Sequence, residues 1–206
     1  MKAYKFLNLK YGLKAIQERR IKISQLKDLN DPFEGLPFDL SIAYHRDVLA
    51  RSLDEIGPKY GYLCFSAKWC NPVLWAHYAD KHHGLCLGFD TKFDLAPVSY
   101  IPNRIPFVVP PTLTMAELVH SGKSADWRYE DELRAITTLE TQSGGLYFME
   151  FNERMRLADV IIGVRCALTK QRVIKALGNI SDRVAIRKAR LAYDTFDIVE
   201  DEGAFG

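Results

Sequence analysis

The stretch Asp126-Trp127-Arg128-Tyr129-Glu130-Asp131-Glu132-Leu133-Arg134 constrains this chain more than any other. Acidic residues normally collect in turns, yet here they open a run, Leu133 to Leu139, whose Ile136, Thr137 and Thr138 favour a strand. On a strand, Glu130, Glu132 and Arg134 share one face, and Tyr129, Asp131 and Leu133 share the other. Two carboxylates followed by an arginine on one face mean one of two things. Either the strand is a solvated edge carrying charge against aggregation, or it carries a site.

The segment before it sharpens the choice. Asp94 to Asp126 holds Pro97, Pro102, Pro106, Pro110 and Pro111, and one expected helix, Met115 to His120, opened by the capping box Thr114-x-x-Glu117. A long proline-rich segment inside a folded domain is usually functional.

Elsewhere the pattern alternates strands and helices. Ala3 to Leu7 reads as a strand, Leu9, Leu13 and Ile16 as a helix, and Ile21 with Ile23 as a second strand. Asn30-Asp31-Pro32-Phe33-Glu34 is turn chemistry. An amphipathic helix is expected between Phe38 and Ile56, then a strand over Tyr62–Ser66. Asn71-Pro72 starts a helix over Val73 to Lys81 that Gly84 stops, placing Trp75, His77, Tyr78 and Asp80 on it, and Leu85 to Phe89 returns as a strand. Strands over Leu146–Phe151 and Ala158–Val164, a helix over Lys170–Leu177 capped by Thr169 and stopped by Gly178, and strands near Val184–Ala189 and Thr195–Val199 follow.

The expected fold class is therefore α+β: a mixed, split sheet with flanking helices in a single domain over 1–200, with 201–206 as a flexible tail. At 206 residues the chain can bury a full core. A net charge of +2 is too mild to argue for nucleic acid by itself. Met1 to Leu9 has no apolar signal core, and no apolar run approaches a membrane-spanning length, so a cytoplasmic protein with no membrane partner is expected. Cys64, Cys70, Cys86 and Cys166 fit reduced core cysteines. The spacing Cys64-x5-Cys70-x6-His77, then His82-His83, matches no zinc pattern, so no metal ligands are assigned.

Taken in order, Tyr4-Lys5-Phe6, Leu29 to Glu34, Cys64-Phe65-Ser66, Leu74 to Asp80, His83 to Asp90 and Trp127-x-Tyr129-Glu130-x-Glu132-x-Arg134 resemble a widespread bacterial and phage domain family of unknown function. That family carries "NDPFE", "CFS", "WAHYA" and "W-x-YE-x-E-x-R" motifs. Leu74 departs from it where a methionine is expected. The layout is similar, more distantly, to the ADP-ribosyltransferase superfamily and its DNA-modifying toxin branch. This resemblance implies an NAD-consuming transferase, acting in phage defence or as a toxin, on a nucleic-acid or protein acceptor. It implies Glu130 or Glu132 as the catalytic carboxylate that stabilises an oxocarbenium-like state. It also implies Lys5 and Ser66 at the first two positions of the NAD site, with Trp75, His77, Tyr78 and Arg134 completing it. Lys5 stands where arginine or histidine is usual.

Two rival readings come from other classes. In one, Glu130, Arg134, His77 and Asp80 form a buried polar network in a non-catalytic binding module. In the other, Asp31, Glu34, Glu130 and Glu132 hold a divalent cation in a nucleic-acid enzyme. Convergence of Lys5, Ser66 and a glutamate on one cleft, mutual pairing of buried charges, or convergence of three carboxylates distinguishes the three.

Overall fold

The computed structural model describes residues 1–205. In chain order the elements are β1 (Lys2–Leu7), α1 (Leu9–Glu18), β2 (Arg20–Ile23), α2 (Ala43–Ile56), β3 (Tyr60–Ser66), α3 (Pro72–Tyr78), β4 (Leu85–Thr91), β5 (Ala96–Pro97), β6 (Ser99–Ile101), α4 (Leu113–Ser121), β7 (Gly122–Ser124), β8 (Glu132–Thr138), β9 (Gln142–Ser143), β10 (Leu146–Glu150), β11 (Met155–Ile162), α5 (Lys170–Leu177), β12 (Ala185–Leu191) and β13 (Ile198–Glu200). A 3-10 helix, Ala125–Glu130, leads into β8. The mixture is α+β, and no helix among the described residues is long and apolar enough to cross a membrane. Contacts divide the chain into two compact units: Met1–Ile21, Phe65–Asp94 and Met149 onward form the first, and Lys22–Cys64 with Leu95–Phe148 form the second.

The first unit is built on strands ordered β13-β12-β11-β4-β1. β4 lies antiparallel to both β1 and β11, and β11 lies parallel to β12. The run Leu85-Cys86-Leu87-Gly88-Phe89 is apolar on both faces because β4 is buried on both. Gly88 is needed there, since a Cβ would stand 2.9 Å from Asp159 Oδ2 and 3.1 Å from the Tyr4 ring. α1 opens on Asn8, whose side chain accepts from the Tyr11 amide, and closes on Arg19 at φ +57°. The Arg19 guanidinium donates to the carbonyls of Ile16 and Leu177, tying α1 to the end of α5. α5 begins on the Thr169 cap and stops at Gly178, as its sequence predicts.

α3 is shorter than its pattern suggests. It ends at Tyr78, and Asp80, Lys81 and His82 all take positive φ. Their amides and carbonyls are nonetheless used: Lys81 N–H reaches Ala76 O, His82 N–H reaches Trp75 O, and His82 O accepts from Arg165. The tight path delivers Gly84 to a place where a Cβ would meet Leu7 O at 2.2 Å. Asp80 thus leaves the helix it was expected to share with His77. In the tail, Ala204 N–H closes a turn on Asp201 O, and the Lys170 ammonium lies over the Phe205 ring; the final position of the expected flexible tail falls outside the described residues.

The second unit places β3, β8 and β5 side by side, with β5 antiparallel to β8. β6 and β7 form a parallel pair, and Gly144-Gly145, both at positive φ, turn β9 into β10. Phe38, Leu49, Phe107, Met115 and Val119 make an apolar cluster between α2, α4 and the proline-rich segment. Phe38 is extended and bridged to Ile105, so α2 starts only at Ala43, later than periodicity suggests. Conversely α4 starts earlier: Thr112, not Thr114, accepts from the Met115 amide as its cap.

Candidate functional site

Asp131 takes φ +45° and ends the 3-10 helix, so Glu130 is not on the strand that carries Glu132 and Arg134. Its carboxylate still joins theirs, because a lysine draws all three acids together. Lys123, on β7, places Nζ 2.5 Å from Glu130 Oε2, 3.1 Å from Glu132 Oε2 and 3.5 Å from Glu34 Oε1. Arg134 closes the network from the other side. Its Nε donates to Glu132 Oε1 at 2.9 Å, and its two terminal nitrogens fork onto Glu34 at 3.1 Å each. Arg134 also donates to His120 O at 2.8 Å, and the Glu132 amide donates to the Tyr100 hydroxyl at 2.8 Å. Glu34, Lys123, Glu130, Glu132 and Arg134 are all more than nine-tenths buried.

Three carboxylates and two cations leave one formal negative charge when all are ionised. Burial alone would lower the Lys123 pKa, but Glu132 and Glu130 together raise it above the ordinary lysine range. Burial would likewise raise Glu132, yet Arg134 and Lys123 hold it below the usual carboxylate range. Burial would lower Arg134 as well, but Cys64, Glu132 and Glu34 together raise it above the ordinary arginine range. Two aromatic faces line the cations: Trp127 lies 4.9 Å from Lys123 Nζ, and Tyr62 lies 5.4 Å from the Arg134 guanidinium. Burial pushes the Tyr62 phenol to about 12, so at neutral pH it is a hydroxyl, 2.7 Å from His120 Nδ1.

The residues expected at the NAD site divide between the units. Glu130, Glu132 and Arg134 belong to the second, and Lys5, Ser66, Trp75, His77 and Tyr78 to the first. Within the first unit Ser66 stands opposite Tyr4, so it shares a face with Tyr4 while Lys5 projects from the other face. Lys5 and Ser66, expected to line one cleft, thus stand on opposite faces of the paired strands. Trp75 is fully buried, packed edge-on against Phe6 at 5.2 Å with its indole N–H given to Trp69 O, which makes it core. His77 is exposed, Tyr78 is half-buried against it, and Ser66 Oγ accepts from the Lys68 amide.

The expected network of Glu130, Arg134, His77 and Asp80 is thus built from different partners. Lys123 and Glu34 take the places proposed for His77 and Asp80, which are exposed side chains of the first unit. The expected carboxylate cluster of Asp31, Glu34, Glu130 and Glu132 is likewise altered. Three of its members converge, but on the Lys123 ammonium. Among the described residues no group of three or more histidine, cysteine or acidic side chains is placed to hold a metal ion.

Lys123 is the member that sequence reasoning missed. It sits in Ser121-Gly122-Lys123-Ser124, with no motif around it. The only available signal was arithmetic: an acidic motif destined for burial needs more cation than Arg134 supplies.

The turn Asn30–Glu34 connects this network to a cleft. Asp31 Oδ1 accepts from the Phe33 amide at 2.9 Å, and Asp31 O accepts from the Glu34 amide at 3.1 Å, which aims Glu34 at Arg134. Asp31 and Glu34 both line a cleft of about 730 Å³ in the second unit, together with Leu26, Leu53, Asp54 and Tyr147. No protein-family model, curated protein or solved structure matches the chain.

Proposed function

We propose that the chain is a non-catalytic binding module whose buried charge network is a scaffold and whose ligand site is the cleft beside the Asn30–Glu34 turn. The observation that carries this reading is the double duty of Glu34. Its carboxylate is forked by Arg134 and approached by Lys123, while the same residue lines the cleft wall. A buried carboxylate held from two sides has one position, and a wall with one position preorganises a site. Glu130 and Glu132 are spent within the network, each paired to Lys123, which suits a scaffold better than a group that must reach a substrate sugar.

A second reading keeps the resemblance to ADP-ribosyltransferases, with NAD as substrate and Glu132 as the carboxylate near the ribose. What favours it is charge: Arg134 and Lys123 keep Glu132 anionic, as an oxocarbenium-like state requires. The two readings part on one experiment. The protein is incubated with NAD labelled in the nicotinamide, with mixed nucleic acid or lysate as acceptor, beside Glu130→Gln and Glu132→Gln. The binding-module reading expects no nicotinamide release above the protein-free control from any of them. Release by the wild type that Glu132→Gln abolishes replaces it with the transferase reading.

A further inference from the structure

In the first unit, His82 is the last of three consecutive residues, Asp80, Lys81 and His82, at φ +48°, +52° and +73°. None is glycine, so each holds a conformation that its side chain disfavours and that only the surrounding bonds maintain. Some of those bonds close the turn itself: His82 N–H donates to Trp75 O and Gly84 N–H to Ala79 O. Others reach the loop over 163–166 that follows β11. The Gly163 amide donates to Gly84 O and the Arg165 amide to His82 O, each at 3.0 Å. The approach is close, since a Cβ on Gly163 would stand 2.3 Å from His82 O. Lys188 of β12 fixes the same loop by donating to Gly163 O and Cys166 O.

The imidazole of His82 lies nearly parallel to the Trp75 ring, at 10° with centroids 6.4 Å apart. Its Nδ1 is buried and has no hydrogen-bond partner among the described residues. That suits a neutral ring protonated on Nε2, with Nδ1 bare. A protonated ring carries a hydrogen on both nitrogens, so Nδ1 would become a buried donor with no acceptor. The charges nearby oppose protonation as well. Its own turn contributes Asp80, Lys81 and His83, α3 contributes His77, and the loop with its β12 anchor contributes Arg165, Cys166 and Lys188. Burial, then Arg165 and His83, hold the His82 pKa below the ordinary 6.5, and no carboxylate among the described residues offsets them.

We propose that His82 is an acid-sensitive latch: the neutral ring closes the turn over 79–84 onto the loop over 163–166, and protonation turns the ring out to water and releases the turn. Once the ring leaves Trp75, three disfavoured backbone conformations lose what maintained them. The sign follows from the lowered pKa. The latch is fully closed above 6.5 and loosens as pH falls towards the value in the closed turn. It does not rest on the binding-module reading of the second unit.

The test is amide hydrogen exchange of the full chain by NMR between pH 7.5 and pH 5, with protection factors for Gly84, Gly163 and Arg165 taken against the intrinsic rate at each pH. Protection at these three amides should lie below that of the β4–β11 ladder, because the turn opens without the sheet. It should fall by up to about tenfold per pH unit below 6.5, as release of one proton-linked contact requires. The His82 ring, followed by its Cε1 proton shift, should titrate below 6.5. His82→Asn accepts positive φ and cannot titrate, and His82→Phe keeps a ring against Trp75. Both should abolish the pH dependence, whatever protection they show at pH 7.5. His83→Gln, at an exposed neighbour, should keep it. Wild-type protection that does not change with pH, protection equal to that of the ladder, a ring that titrates at or above 6.5, or a pH dependence that survives in either His82 variant overturns the latch.

Discussion

Replacing Lys123 by methionine keeps the unbranched chain to within one atom of its length and removes one charge, and the consequence follows from the distances. The wild-type ammonium lies within 3.5 Å of three carboxylates, Glu34, Glu130 and Glu132. Without it those acids share only Arg134, and the formal charge of the buried cluster goes from −1 to −2. Removing one partner from a buried ion network costs about 3–5 kcal/mol, because the remaining charge stays desolvated. Against a total stability of about 5–15 kcal/mol that is a large fraction. With a urea m-value of about 2 kcal/mol/M, the unfolding midpoint should fall by about 2 M. Tryptophan fluorescence during urea unfolding is a suitable assay, since Trp127 packs against Lys123 itself. Adding Glu130→Gln removes the nearest acid, and the double variant should recover about 1 kcal/mol or more of the loss. A Lys123→Met midpoint within about 1 kcal/mol of wild type is what an exposed pair gives, and it would refute the network as a stabilising scaffold.

Acid should destabilise the fold in two stages. Burial and Arg134 hold His120 below its ordinary 6.5, so its contribution is complete above that pH and drains as pH falls through the lowered value; Glu132, also lowered, adds a second loss below 4.5. A melting temperature that rises between pH 7 and pH 5 would contradict this. In the first unit, Gly84→Ala drives a Cβ into Leu7 O and the Ala79 backbone, which cannot rotate away, and should cost about 3 kcal/mol by thermal or urea unfolding. Retention of full stability would show that the β1 and α3 ends shift freely.

Where side-chain chemistry sets the local backbone, the sequence was readable. Asn71 with Pro72 starts α3, Thr169 and Gly178 bracket α5, and the Leu85–Phe89 run lies on a strand buried on both faces. Where long-range packing decides, it was not. Phe38 belongs to the apolar cluster and bridges Ile105, so its helical spacing with Leu49 and Leu53 misleads. Glu130 and Glu132 do cluster, but through a left-handed Asp131 and a lysine from β7 rather than through strand alternation. Asp is among the residues that tolerate that conformation, yet nothing in the motif demands it. Ser66 lies on a core strand as expected, but pairing register, which sequence does not display, sets it opposite Tyr4 and leaves Lys5 on the other face.

A scaffold role requires Glu34, Glu130 and Glu132 to be closed away as partners of Lys123 and Arg134. Carbodiimide modification of the native protein, read by mass spectrometry, measures this directly, with exposed Asp131 between the two glutamates as the internal reference. Asp131 should be modified while the three glutamates stay unmodified until the protein unfolds. Modification of Glu130 or Glu132 in the native state at the rate of Asp131 would mean that these carboxylates open to solvent, and that they are a site rather than a scaffold.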